Sequence, residues 1–98
     1  MEKELNKLLA DLVVEYHKLQ SFHWYLKGYH FFDDHKKFEE YYGDIADAVD
    51  GVAENMLKIG LKPESTMKGF MALSTIEEAK NKEVTSEEAY EIILKDFK

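Results

Sequence analysis

The stretch His23-Trp24-Tyr25-Leu26-Lys27-Gly28-Tyr29-His30-Phe31-Phe32-Asp33-Asp34-His35 separates two long runs of helical periodicity. Before it, from Glu4 to about Lys27, apolar or seam positions fall at Leu5, Leu9, Leu12, Tyr16, Leu19, His23 and Leu26. The steps alternate between four and three residues, which is the stripe of an amphipathic helix packed on others. Leu8, Val13 and Phe22 widen that stripe into a core-facing surface. After it, His35, Phe38, Tyr42, Ile45, Val49, Val52, Met56 and Ile59 repeat the same alternation. Gly28 is placed to end the first helix, and Asp33 and Asp34 stand where an N-cap and a first-turn anion belong. Gly60 closes the second helix and Pro63 prevents it from resuming. Two long helices joined by so short a connection predict an antiparallel hairpin. Gly43, Ala46 and Ala53 lie beside the second seam, where small side chains let a partner helix approach.

Beyond the hairpin the pattern shortens. Ser65-Thr66 precedes Met67, Phe70 and Met71, which predicts a short helix. Thr75-Ile76-Glu77-Glu78 has the capping-box pattern, and residues 79–84 read as a polar loop. Thr85-Ser86-Glu87-Glu88 is a second capping box, opening a last helix through Ala89, Ile92, Ile93 and Phe97. No repeat, low-complexity tract or strand-like alternation interrupts this, so the expected class is all-α in one domain, residues 1–98.

Composition narrows the functions. There is no cysteine, hence no disulfide framework, thiolate metal site or cysteine nucleophile. No apolar run is long enough to span a bilayer and no signal-peptide pattern opens the sequence, which leads us to expect a cytoplasmic protein. The formal charge is −7 and all thirteen basic residues are lysine. Nucleic-acid binding rests on a basic footprint, and arginine makes the commonest bidentate contact to guanine. Both are lacking, so the charge argues against direct DNA binding; it suits a protein that attracts cations.

His23 and His35 each occupy a seam position, close to the connection and facing the same gap. A histidine on an apolar face is commonly a satisfied core residue; two on adjacent seams make a metal site an equal reading. Asp50 and Glu54 share one helical face, being four residues apart. At about 1.5 Å rise per residue they lie about 22 and 28 Å beyond His35. They cannot complete a site with histidines of the same chain, whereas a two-fold dimer would bring them to the histidines of the other. On their own they read equally as a solvated acidic pair. His17 and His30 fall off the seams and read as surface or loop residues. The Glu-x-x-His motif of intrachain di-iron bundles is absent at all four histidines.

The run Tyr16–Gly60 resembles the Dps family of mini-ferritins. The matching motifs are Phe22-His23-Trp24-Tyr-Leu-Lys-Gly28, Phe31-Phe32-x-x-His35-x-Lys-Phe-Glu39, Asp50-x-x-Ala-Glu54 and Ile59-Gly60-x-x-Pro63. Ser65-Thr66 through Ser74-Thr75-Ile76 continues the likeness across the short helix that this family inserts between its second and third long helices. The resemblance implies a ferritin-like bundle, here with a shortened third helix and without the fourth. It further implies a ferroxidase centre shared by two chains, with His23, His35 and Glu39 from one and Asp50 and Glu54 from its two-fold mate. The implied chemistry is Fe(II) oxidation, preferably by hydrogen peroxide, for iron storage in a twelve-subunit shell and protection from oxidative stress. Zn(II) and Mn(II) suit the same mixed donors. Trp24 resembles the family tryptophan that intercepts oxidising equivalents, and reads equally as an aromatic packed at a dimer interface.

Some features depart from the family. Asn55 stands where arginine is frequent, Asp33-Asp34 makes the turn unusually acidic, and no basic tail precedes the first helix. Two rival readings follow: a shortened, non-enzymatic helical dimer that binds zinc, iron or no metal, and a DNA-protecting binding protein, which the charge disfavours.

Overall fold

A computed structural model describes the backbone of residues 1–27, 31–80 and 82–97, and their side chains except those of residues 26, 27, 31–35 and 86. Four helices appear among these residues: α1 (Glu2–Tyr25), α2 (Phe31–Lys58), α3 (Met67–Leu73) and α4 (Ser86–Asp96). The all-α class holds, and α1 and α2 form the expected antiparallel hairpin. Its sense follows from its contacts. Phe22 meets Phe38 near the connection, Tyr16 meets Tyr42 farther down, and Leu9 and Ala10 share a cluster with Val49, Val52 and Ala53 at the far end.

The core has two parts. Nearer the connection, Leu19, Phe22, Phe38, Val84, Ala89 and Ile93 come together, with Tyr90 stacked on Phe38 at 5.2 Å. At the far end Leu9, Ala10 and Phe70 pack with Val13, Val49, Val52, Ala53 and Leu73. Helix α4 has 11 residues against 28 in α2. At about 1.5 Å per residue it spans about 16 Å of a helix about 42 Å long. Between α4 and the hairpin lies a cavity of about 370 Å³, bordered by Tyr41, Ile45, Ile93, Leu94 and Phe97.

The capping chemistry is mostly where the sequence puts it. Gly60 adopts φ +82°. Its N–H donates to Leu57 O and the N–H of Leu61 donates to Met56 O, the paired bonds of a Schellman ending. Thr66 and Thr85 are N-caps whose hydroxyls accept from the backbone N–H groups of Gly69 and Glu88. Phe70 is buried under α3 while Met67 and Met71 stay exposed.

Several expectations are corrected. Helix α1 ends at Tyr25, and Leu26–Lys27 instead pair in parallel with Val84–Thr85. Val84, expected in a polar loop, is 3% exposed because it both makes this pairing and fills the core. Helix α2 starts at Phe31, so Asp33 and Asp34 lie inside its first turn and do not precede it. No helix starts at Thr75. Its N–H and the Ser74 hydroxyl are both held by Asp11 Oδ1, at 2.7 and 2.9 Å, which ties this backbone to α1 and leaves it irregular. Leu8 is 46% exposed, while Ala10 and Val14 are buried, because α3 and the segment after it pack on a flank of α1 that the seam does not include. Ile59 lies past the end of α2 and is exposed. Gly28 and His30 lie outside the described residues.

The segment after α2 is laced to the start of α1. Lys62 N–H donates to Glu2 Oε1, Glu64 N–H to Asn6 Oδ1, and Asn6 Nδ2 to Lys62 O. No described helix is long and apolar enough to cross a membrane.

Candidate metal centre

Helix α1 delivers His23 to the inner side of the hairpin two residues before its last turn closes, and its residue is 7% exposed. The imidazole meets Tyr42 of α2 edge-on, with ring centroids 5.5 Å apart at 79°. Tyr42 is braced from its other neighbour, Tyr16, at 5.5 Å and 83°. Perpendicular aromatic contacts of this kind fix ring orientation as well as bury area. Burial, then the charge of Glu39 one turn earlier, pushes the Tyr42 phenol above its ordinary pKa, so it stays protonated. The sequence marks Tyr42 only as a seam residue; its contact with His23 depends on how the two helices are staggered.

Glu39 lies on α2 four residues after His35 and is exposed. The backbone of His35 belongs to the first turns of α2, and its side chain lies outside the described residues. Trp24 follows His23 but points away from the core: it is 57% exposed and meets His17 edge-on, with ring centroids 5.8 Å apart. His17 is itself exposed, as expected, and bonded to Gln20.

Asp50 and Glu54 project from α2 into solvent. Asp50 borders a cavity of about 260 Å³ with Val13, Tyr16, Ala46 and Val49, so it stands level with Val13 of α1. Val13 precedes His23 by ten residues, or about 15 Å of helix. No group of three potential metal-ligating side chains gathers within the chain among the described residues. His23 and the Asp50/Glu54 pair therefore lie apart along one protomer. Imidazole with carboxylates is a donor set suited to Fe(II), and the exposure of Glu39, Asp50 and Glu54 leaves them accessible to a second chain.

Comparison with known proteins matches residues 2–98 to the ferritin-like domain family. The chain is 48% identical over 93 residues to DNA protection during starvation protein 2 of Bacillus anthracis, covering 95% of this chain and 63% of that one. The crystal structure of Dps from Staphylococcus aureus superposes with a TM-score of 0.92 at 41% identity, covering 98% of this chain and 64% of that one. A Dps protein from Vibrio cholerae, described as a member of a broad superfamily of ferritin-like diiron-carboxylate proteins, gives 0.93 at 29% identity, covering 98% and 60%. The chain thus spans somewhat under two thirds of the length of these relatives. With its hairpin, its inserted short helix and these likenesses, the chain belongs to the ferritin-like family, among the Dps proteins.

Proposed function

We propose that this is an iron-handling protein of the Dps type, which oxidises Fe(II) at a site built by two chains. One protomer supplies His23 and His35 as neutral nitrogen donors and Glu39 as a further oxygen donor; its two-fold mate supplies Asp50 and Glu54. The observation that carries this reading is the separation of the half-sites. His23 is buried at one end of the hairpin, while Asp50 stands exposed about ten α1 residues away. Family membership supports a role in iron storage and stress protection, and the ferritin-like diiron-carboxylate description of the Vibrio relative supports iron as the substrate.

Hydrogen peroxide is the proposed oxidant: each molecule accepts one electron from each of two Fe(II) ions. Charged carboxylates then favour the Fe(III) product over Fe(II). Trp24, exposed beside His23, would intercept stray oxidising equivalents or pack against the mate. Homo-oligomerisation is part of the proposal, with a two-fold dimer as the least assembly that completes a site and a twelve-subunit shell as the storage form. With a charge of −7 and no arginine, protection of DNA would come from consuming iron and peroxide in the cytoplasm and not from coating the duplex.

Anaerobic Fe(II) titration of His23→Ala and Asp50→Ala tests the site. Each variant alone should lose tight binding. When the two are mixed and allowed to exchange protomers, about a quarter of the sites should return, because half of the dimers are mixed and each regains one intact site. Undiminished tight binding in both variants would remove the proposed site; loss without recovery on mixing would remove its sharing between chains.

A further inference from the structure

Glu15, on α1, is 3% exposed, yet neither of its carboxylate oxygens has a donor among the described residues. What faces it is Asp96 of α4, another carboxylate, which lines the same cavity. Asp96 is in turn held by Lys18 of α1, with Nζ 2.8 Å from Oδ2 and the lysine side chain 4% exposed. Two acids and one ammonium are thus enclosed together between α1 and α4. If both acids were ionised, one negative charge would remain uncompensated in a largely buried place, which is unfavourable. A single proton resolves both difficulties. It turns a Glu15 oxygen into a donor toward Asp96, and it brings the net charge of Glu15, Lys18 and Asp96 to zero.

We propose that Glu15 and Asp96 share one proton at neutral pH, and that its loss releases α4 from α1, making the pair a pH-sensitive clasp on the C-terminal helix. Among the described residues, the surrounding charges supply the Glu15 oxygens with no hydrogen-bond donor. Asp11 shares the adjoining cavity of about 240 Å³ with Glu15 and Asp96, but it is an acid already engaged by Lys7, Ser74 and Thr75. Lys18 and Asp96 also line a second cavity, bordered by Glu77, Glu78, Lys80, Lys82 and Lys95, all exposed and open to solvent screening. Burial, followed by the hydrogen bond and the charge of Asp96, pushes Glu15 from an ordinary 4.5 to about 8, while Lys18 acts in the opposite sense. The clasp would therefore hold at neutral pH and weaken in mildly alkaline solution. It does not depend on the proposed metal centre, whose residues lie elsewhere on the hairpin.

The test is backbone hydrogen exchange of the whole chain from pH 6 to 9, corrected for intrinsic exchange rates, with chelator present. In the native sequence the protection of α4 should fall about tenfold between pH 7 and 9, the factor expected for opening linked to one proton with a pKa near 8. Glu15→Gln, which keeps a donor and carries no charge, should hold its protection flat over that range. Carbon-13 titration of the Glu15 carboxyl in the unsubstituted chain checks the proton directly, and remains decisive if the variant folds poorly. A Glu15 titration below pH 5, α4 protection that does not change with pH in the native chain, or an equal fall in Glu15→Gln would each overturn the proposal. So would protection at pH 7 that requires added Zn(II), since the pair would then hold a cation and not a proton.

Discussion

Asp11 and Glu15 stand one turn apart on α1, and both turn toward segments that follow α3, yet the protein treats their carboxyl groups in opposite ways. Asp11 is only partly buried. Burial would raise its pKa, but the N–H of Thr75, the ammonium of Lys7 and the hydroxyl of Ser74 together outweigh it and hold the group below its ordinary value. Glu15 is more deeply enclosed and faces an acid instead of donors, so its pKa is raised. The difference lies in what surrounds each carboxylate and not in sequence type. Where backbone and side-chain donors converge, an anion ties a loop to the helix; where none does, the group keeps its proton or costs stability.

The largest effect expected in this part of the molecule comes from Lys18→Met. It removes the ammonium from a buried ion pair and leaves Asp96 uncompensated beside Glu15. Breaking such a pair costs about 3–5 kcal/mol, which urea unfolding at pH 7 would register as a lowered midpoint with an unchanged slope. A loss below about 1 kcal/mol would show that the pair is effectively solvated, as exposed salt bridges are. Asp11→Ala comes next. It strands the Thr75 N–H and the Ser74 hydroxyl, but both lie near solvent and can recruit water, so the loss should be about 1–2 kcal/mol. Proteolysis between residues 74 and 83 should become faster in that variant, since the backbone tie to α1 is gone.

The pH dependences of the two sites have opposite signs. The Glu15 pKa is raised in the folded chain, so its favourable contribution is complete below 4.5 and lost as pH climbs through about 8. The Asp11 pKa is lowered, so its contribution is present above its ordinary 3.8 and lost as pH falls through the folded value. Thermal unfolding across pH 3–9 should therefore show Glu15→Gln matching the parent in acid and exceeding it increasingly toward pH 8. Asp11→Asn should start less stable at neutral pH and converge with the parent below pH 4. Parallel curves for either variant would mean that its carboxyl titrates alike in the folded and unfolded chains.

Much of the hairpin was legible because burial follows the 3.6-residue period at Leu9, Leu19, Phe38 and Met56, and because Gly60, Thr66 and Thr85 have local reasons for their places. The clasp was not legible. Glu15 and Lys18 are charged, and charged residues on a helix ordinarily read as a solvated face. Only the packing of α4, with Asp96 near its end, encloses them. The same holds for Thr75, whose capping box is outcompeted by Asp11, a residue 64 positions away. At the proposed metal centre the residue types and spacing were readable, and helix rise alone sets Asp50 and Glu54 too far from His35 to share a site within one chain. The stagger that sets Tyr42 against His23 was not readable, since periodicity fixes faces and not the relative height of two helices.

The smallest effect, Thr85→Ala, can distinguish a clasp that holds α4 from a helix that holds itself. The Thr85 hydroxyl accepts from Glu88 N–H at 3.2 Å, so its loss leaves an N-terminal donor uncapped. Such caps contribute about 1 kcal/mol, equivalent to about fivefold in hydrogen exchange within α4 at pH 6, where Glu15 keeps its proton. At pH 9 the two cases part. If deprotonation detaches α4, an 11-residue helix is too short to persist alone, and removing its cap should then change exchange hardly at all. If α4 instead stays docked through Ala89, Ile93 and the stacked Tyr90, the fivefold effect should persist undiminished at pH 9. The apolar contacts would then outweigh the buried acids, and the contrast between Asp11 and Glu15 would be a matter of local protonation without consequence for the helix.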